Sequence, residues 1–146
     1  LVDMDPEHGL THPFWKRKPL CGLPELLELE NQEVALVQAN LYLASAVKNN
    51  GKVHSGMPKQ FSQLVPKLQA SHYDYIIFDT PSIMPTSITY RLAAFMDVTV
   101  LVVEAEKTHR ESLRRALALL SESNSNVGTV LNKTRNYIPA WLHQEI

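Results

Sequence analysis

The amino-acid sequence predicts an α/β fold with a doubly wound, mainly parallel sheet and helices on both of its faces. Short apolar runs of strand length alternate with segments of helical spacing, the order that builds parallel βαβ units. The runs 75–78 and 98–103 are apolar almost throughout, as in strands covered on both faces. With 146 residues, 45% hydrophobic and 20% charged, the chain suits one core, and we expect residues 1–146 to form a single domain.

Four elements are predicted in the first half of the chain. Acidic residues follow directly after its apolar start, which is the pattern of a buried strand that ends at Asp3. Pro24 suits the first position of a helix, where no intrahelical N–H bond is lost, and Pro66 can kink a later helix. The predicted elements are a strand at 1–3, a helix at 24–30, a strand at 41–47 and a helix at 61–70.

The second half of the chain is predicted to hold three strands and two helices. Apolar residues recur at helical spacing from Ile88 to Met96 and again after Thr108. The Thr108-x-x-Glu111 spacing predicts a capping box at the start of the second helix. The inward stripe of this helix is predicted to be Leu113, Ala116, Leu117 and Leu120. The strands are predicted at 75–78, 98–103 and 127–131.

Polar residues follow several of these strands at their carboxyl ends. Asp3 and Asp5 follow the first strand, Asp79 ends the run at 75–78, and Asn132 follows the last strand. Ligands of doubly wound sheets bind outside the carboxyl ends of the strands. We therefore expect these four residues to converge on one edge of the sheet.

The string IIFDTPS around Asp79 has the form of a Walker B motif, in which an aspartate follows an apolar strand. A carboxylate at that point is suited to hold Mg²⁺ near phosphates, directly or through water. Asp3 or Asp5 would orient a water or hydroxyl for attack on a phosphoryl group, or add a carboxylate to the metal shell. The alternative interpretation is that Asp79 only ends a strand and that Asp3 and Asp5 lie in a solvated turn.

Five segments cover nearly the whole chain in order. They are LVDMD, GLPELLEL, HYDYIIFDTPSI, DVTVLVVEAEKTHRESLRRALALL and GTVLNKTRNYIPAWL. Together they resemble the cytoplasmic ATPase domain of bacterial tyrosine kinases that control exopolysaccharide and capsule chain length. That domain is a relative of the division-site and chromosome-partitioning ATPases, which have a deviant P-loop.

The resemblance implies a P-loop NTPase-like fold, ATP and Mg²⁺ as ligands, and a tyrosine kinase function in exopolysaccharide biosynthesis and export. Asp3 and Asp5 would be the catalytic aspartates of the second Walker motif, and Asp79 the metal-binding Walker B aspartate. Asn132 matches the nucleotide-binding position that contacts adenine in related ATPases. The implied partners are the membrane-bound polysaccharide export machinery and a second copy of the chain, at the cytoplasmic face of the membrane.

The sequence departs from this family at several positions. Glu7 stands where the family carries an arginine, Ser82 where a second proline is usual, and no tyrosine follows Tyr137. No GxxxxGK[ST] motif is present, and the nearest segment, 51–58, lacks the lysine and hydroxyl. In the family this loop precedes the aspartate pair, so we expect it upstream of Leu1, either cut off or lost. The isolated chain is then expected to bind ATP weakly or not at all.

Two other functions remain open from the sequence. The departures at Glu7 and Ser82 and the lack of a tyrosine-rich tail after Tyr137 favour a non-catalytic, degenerate ATPase module that acts as an interaction partner in polysaccharide export. A partitioning-type ATPase that switches between monomer and dimer is the third possibility. Whether the chain is an enzyme is therefore left undecided by the sequence.

Composition excludes several other classes. A net charge of −1 provides no field to attract nucleic acid, and no apolar run is long enough to span a bilayer. The single Cys21 fits a reducing compartment, so we expect a soluble, cytoplasmic domain. Arg135 occupies the aspartate position of a guanine-reading NKxD motif and cannot accept the hydrogen bonds of guanine. The six histidines show no zinc-ligand spacing.

Overall fold

The computed structural model describes residues 1–4, 21–27, 32–45, 57–84, 87, 89–123 and 126–135. The chain divides into two compact units, Leu1–Phe95 and Met96–Ile146, and each is described by itself. Among the described residues, no helix has both the length and the apolarity needed to cross a membrane. The predicted helix end at 28–30 and the terminal stretch at 140–146 lie outside the described residues.

The first unit contains short strands and four helices in the part of the chain that the structure describes. Its strands are β1 (Val2–Asp3), β2 (Leu36–Gln38), β3 (Leu41–Tyr42), β4 (Ala44–Ser45) and β5 (Phe78–Asp79). Its helices are α1 (Leu23–Leu26), α2 (Gln32–Ala35), α3 (Met57–Gln69) and α4 (Thr89–Ala93). The second unit contains β6 (Thr99–Glu104), α5 (Arg110–Glu122) and β7 (Val127–Asn132).

A three-stranded parallel sheet of order β4–β1–β5 organises the first unit. On one side of β1 the Val2 N–H donates to the Ile77 carbonyl at 2.7 Å and the Met4 N–H to the Asp79 carbonyl at 2.9 Å. On the other side the Ala44 N–H donates to the Leu1 carbonyl at 3.0 Å. The predicted α/β class with parallel strands is confirmed.

In its described part, 41–45, the predicted strand at 41–47 is two strands with different partners. β3 pairs antiparallel with β2, and the turn between them includes Asn40, whose φ of 60° lies in the left-handed region. β4 instead pairs in parallel with β1. Between them, the Leu43 N–H donates to the Ala35 carbonyl at 2.8 Å, which directs the chain from one sheet to the other.

Aromatic packing anchors α3 in the first unit. Phe61 is 1% exposed, and its ring centroid lies 5.3 Å from that of Phe78 and 5.7 Å from that of Phe95. α3 begins at Met57, four residues before the prediction, and continues through Pro66 to Gln69. Pro66 has no backbone N–H, so one intrahelical hydrogen bond is missing at this position. The aromatic packing of Phe61 keeps the segment helical across it.

A second cluster of buried residues lies beside β4. Its members are Cys21, Leu26, Ala35 and Ala44, with Tyr42 and Tyr73 packed against them. The Tyr42 and Tyr73 rings meet edge to face with centroids 5.3 Å apart. α1 begins at Leu23, one residue before the predicted start. α4 covers only Thr89–Ala93 of its predicted span, and its Leu92 is buried.

The described part of the second unit contains a parallel pair of strands and one helix. β6 and β7 pair over six residues, from Thr99 opposite Val127 to Glu104 opposite Asn132. In α5, two members of the predicted inward stripe, Ala116 and Leu120, are buried and the other two, Leu113 and Leu117, are half-buried, so the prediction of this face is confirmed.

The predicted capping box at Thr108 is wrong. α5 has His109 as its N-cap, and no side chain makes a cap hydrogen bond there. The Thr108 hydroxyl instead accepts a hydrogen bond from the Glu104 N–H at 3.2 Å. The hydroxyl is thus used to close the turn after β6.

The expectation that both central apolar runs are covered on both faces does not hold. Tyr75 is 86% exposed and only the last residue of that run joins β5. In the run at 98–103, Val98, Val100 and Val102 are all more than half exposed, whereas Val103 is buried. Alternate residues of a strand face opposite sides, so β6 has one covered and one exposed face.

We predict that Phe61→Ala lowers the free energy of unfolding by about 3–5 kcal/mol, because it removes a buried ring from between two others. Urea denaturation followed by circular dichroism would measure the loss. Gln63→Ala, at an exposed position of the same helix, should change stability by less than about 0.5 kcal/mol. Equal effects of the two substitutions would contradict this packing.

Candidate functional site

Two acidic residues end neighbouring strands at the carboxyl edge of the three-stranded sheet. Asp3 is the last residue of β1 and Asp79 the last of β5, and the two are register partners. Neighbouring strands lie roughly 4.8 Å apart, so both residues occupy one small region of this edge. Asp3 is 3% exposed, whereas Asp79 is exposed. The expected convergence on one edge of the sheet is therefore confirmed for Asp3 and Asp79.

Ser45 extends this row on the other side of Asp3. It is the last residue of β4, is the register partner of Asp3 and is 6% exposed. A further parallel bridge joins Ser45 to Gly22, and the Ser45 N–H donates to the Cys21 carbonyl at 2.8 Å. The sequence analysis missed Ser45, since it lies between two alanines and no local signal marks it as a strand end.

The loop after Asp79 is fastened to the start of α4. The Thr89 hydroxyl donates to the Pro81 carbonyl at 3.1 Å. The Ser87 hydroxyl accepts from the Met84 N–H at 3.0 Å and donates to the Met84 carbonyl at 2.8 Å. These bonds fix the direction in which the chain leaves the site. Asp5 and Glu7 lie outside the described residues, so their predicted placement has no structural test.

Asn132 lies in the second unit, at the carboxyl end of β7 and opposite Glu104. Its Oδ1 accepts a hydrogen bond from the Lys133 N–H at 2.8 Å, and its carbonyl accepts one from the Ala105 N–H at 2.9 Å. The Asn132 side chain is exposed. The structure therefore places Asn132 at a strand end, but in another sheet than Asp3 and Asp79, so the expectation that it shares one sheet edge with them is wrong.

Glu104 is a second residue that the sequence analysis missed. Its carboxylate accepts hydrogen bonds from Lys133 Nζ at 2.9 Å and from Lys107 Nζ at 3.2 Å. The hydrogen bonds from the two lysines lower the pKa of the Glu104 carboxyl below its usual value. The bond from Lys133 has the larger effect, and the bond from Lys107 the smaller. The string VTVLVVE, an apolar strand that ends on an acid, is the signal that would have found it.

The backbone beside these residues is strained. Glu106 and Lys133 have φ values of 62° and 57°, in the left-handed region that costs a non-glycine residue on the order of 1 kcal/mol or more. Lys133 is held there by its N–H bond to Asn132 and its ammonium contact with Glu104. Strain that the surroundings maintain in this way is common at binding sites.

The donor set fits Mg²⁺ better than a transition metal. Within the described ranges, no group of three or more histidine, cysteine, aspartate and glutamate residues is arranged to hold a metal ion. Mg²⁺ needs only one or two protein carboxylates, because phosphates and water complete its shell. Asp3 and Asp79 provide such a pair at the edge of one sheet.

An apolar cavity of about 170 Å³ lies at the opposite end of the first unit's strands. Leu26, Tyr42, Leu68, Tyr73 and Ile77 contribute to its wall. Tyr73 Oη is buried and has no hydrogen-bond partner among the described residues. Burial, together with the neighbouring Tyr42 and Cys21, raises the pKa of Tyr73. This cavity borders the amino ends of β1 and β5 and does not include the carboxylates.

Comparison with known proteins finds relatives among bacterial tyrosine-protein kinases. The chain is 38% identical over 64 residues to CapB of Staphylococcus aureus, a protein named provisionally as a tyrosine-protein kinase; the match covers 43% of this chain and 28% of CapB. It is 26% identical over 137 residues to the tyrosine-protein kinase YwqD of Bacillus subtilis (strain 168), covering 90% of this chain and 58% of YwqD. The chain thus spans less than two thirds of each relative.

No family model matches the chain. No solved structure matches it either. At 38% identity over 64 residues and 26% over 137 residues, the two relatives are distant, and they support the predicted resemblance at the level of bacterial tyrosine-protein kinases.

We predict that Lys133→Met raises the pKa of Glu104 toward the usual value, because it removes the stronger of two hydrogen bonds to the carboxylate. The charged Glu104 carboxylate stabilises the folded protein at pH values above the ordinary pKa of glutamate. This contribution is lost as the pH falls through the lowered pKa of Glu104 in the folded state. NMR titration of the Glu104 side-chain carboxyl would measure the change. Lys107→Met should give a smaller rise, and an unchanged titration in Lys133→Met would contradict the assignment.

Proposed function

We propose that the chain acts as part of an ATP-dependent tyrosine kinase-like domain that serves exopolysaccharide or capsule biosynthesis and export. The in-register pair of Asp3 and Asp79 at the carboxyl edge of a parallel sheet carries this proposal. Two carboxylates at such an edge suit phosphoryl transfer, in which positioning and charge stabilisation supply most of the catalysis. The relatives named tyrosine-protein kinases support it independently.

The two carboxylates take different roles in this proposal because their environments differ. Asp79 is exposed, and its carboxylate holds Mg²⁺ directly or through water. The bound ion supplies neutralisation of the charge on the transferred phosphoryl group. Asp3 is buried at the centre of the sheet, and its carboxylate accepts the proton of the attacking tyrosine hydroxyl. The sequence alone assigns this role to either Asp3 or Asp5.

Asn132 is proposed to contact the adenine ring. Since its Oδ1 already accepts the Lys133 N–H, its amide nitrogen is the group that donates to a ring nitrogen of the base. We propose that a glycine-rich loop of the kind that the resemblance implies holds the phosphates; the 146 residues contain no GxxxxGK[ST]. The proposed location is the cytoplasmic face of the membrane, beside the export machinery.

A non-catalytic interaction module is the second candidate. Glu7 reverses the charge of the family's arginine, and Ser82, exposed in the loop after Asp79, replaces its second proline. Such a module would keep the fold and bind its partner, but it would not transfer a phosphoryl group. A partitioning-type ATPase would instead dimerise with ATP and form no phosphotyrosine.

We predict that Asp79→Ala and Asp3→Asn in the full-length protein each lower Mg²⁺-dependent ATP turnover and phosphotyrosine formation by on the order of 100-fold or more. Asp79→Ala removes a metal ligand, whereas Asp3→Asn replaces the proton acceptor with an amide of the same shape. Phosphate release and anti-phosphotyrosine blotting would measure the two activities. Asp74→Asn, at an exposed position before β5, is the matched control and should retain full turnover.

Three results would redirect the assignment. Undiminished turnover in Asp79→Ala would refute the proposed kinase site. A full-length protein that turns over no ATP would favour the interaction module. ATP-dependent dimerisation without phosphotyrosine, measured by light scattering, would favour the partitioning type.

A further inference from the structure

Glu104 joins the two loops that leave the carboxyl ends of β6 and β7. Its carboxylate accepts hydrogen bonds from Lys133 Nζ, just after β7, at 2.9 Å and from Lys107 Nζ, in the turn after β6, at 3.2 Å. Its backbone N–H donates to the Thr108 hydroxyl at 3.2 Å. Glu104 is also the register partner of Asn132, the last residue of β7. One side chain therefore ties the end of β7 to the turn after β6.

The side chain of Asn132 is held through its oxygen. Its Oδ1 accepts the Lys133 N–H at 2.8 Å, and its amide nitrogen makes no hydrogen bond to another described residue. Asn132 is exposed, so this nitrogen is accessible to a ligand. An amide fixed at its oxygen presents its two N–H donors in a defined direction. The bond from Lys133 therefore decides where Asn132 can donate.

That bond depends on the backbone conformation of Lys133. Its φ of 57° lies in the left-handed region, which is unfavourable for a residue with a β-carbon. Such a conformation persists where surrounding contacts maintain it. Among the described residues, Lys133 has two polar contacts, its N–H bond to Asn132 and its ammonium contact with Glu104 on the neighbouring strand. Loss of the Glu104 carboxylate therefore frees the Lys133 backbone and, with it, the Asn132 side chain.

We propose that Glu104 is a positioning residue for Asn132, whose amide it orients toward the adenine ring through its contact with Lys133. This inference rests on the proposed kinase function, in which Asn132 contacts the base. Glu104 touches neither the base nor the reacting phosphoryl group. Without it, the Asn132 side chain has to be ordered when ATP binds, so ATP binding weakens and the turnover rate of the bound complex is unchanged.

The test measures ATP affinity and turnover in the full-length protein. Glu104→Gln should raise Kd and KM for ATP about three- to tenfold while kcat stays within about twofold, because only the order of the side chain that reads the base is lost. Lys133→Met should give the same change. The double variant should bind ATP no more weakly than either single variant, since both substitutions break one contact.

Glu111→Gln is the matched control. It is the same substitution at an exposed position, and it breaks an ion pair of α5 with Arg115 at 3.2 Å. Kd, KM and kcat should all keep their wild-type values. Thermal unfolding should be nearly unchanged in Glu111→Gln and in Glu104→Gln, because exposed ion pairs contribute little to stability. If Glu104→Gln nevertheless unfolds, Lys133→Met decides alone.

NMR relaxation of the Asn132 side-chain N–H2 group tests the positioning without nucleotide. In the full-length protein labelled with 15N at asparagine, this group should be ordered in the wild type and in Glu111→Gln, and mobile in Glu104→Gln. Equal mobility in the wild type and in Glu104→Gln would overturn the inference. A fall of kcat as large as the rise of KM in Glu104→Gln would overturn it too.

Asn132→Ala, measured in parallel, distinguishes the inference from the function on which it rests. Weak ATP binding in Asn132→Ala beside a wild-type Kd in Glu104→Gln would overturn the role of Glu104 alone. Wild-type affinity in Asn132→Ala would overturn both the proposed adenine contact and the role of Glu104. A wild-type protein that binds ATP without turnover would overturn the kinase function, and the Kd values would then decide the role of Glu104.

Discussion

The pairing of β1 with strands on both of its sides constrains the rest of the first unit. β1 hydrogen-bonds to β4 and to β5 in parallel, and these two neighbours come from distant parts of the chain. A shift of the register by one residue would turn the side chains of β1 to the other face of the sheet. The observed register buries Val2 and sets Ser45, Asp3 and Asp79 side by side.

The carboxylates at the two strand edges are held by different means. Asp3 is enclosed by its neighbours in the sheet, so its surroundings depend on packing and on strand register. Glu104 is accessible to water and is held by two lysine ammonium groups. Contacts of the second kind weaken in salt, whereas a buried polar group is shielded from counter-ions. The surroundings of Asp3 are therefore less sensitive to salt than those of Glu104.

A parallel α/β fold hosts many unrelated activities, so the proposed function depends on the residues at its edge. The proposal takes the row of Ser45, Asp3 and Asp79 at the ends of β4, β1 and β5 as the source of oxygen ligands for Mg²⁺ and phosphate chemistry. The relatives named tyrosine-protein kinases lead to the same class of reaction from sequence alone. These two lines of support are independent, since the strand register was not used in the sequence comparison.

Local patterns in the sequence determined the strand ends at Asp3 and Asp79 and the buried face of α5, because periodicity and a terminating charge act within a few residues. Tertiary structure decided what depends on distant partners. It divided 41–45 between two sheets, exposed Tyr75 and placed Ser45 in register with Asp3. Strand pairing joins residues far apart in the chain, and no local pattern specifies which strand will lie beside which.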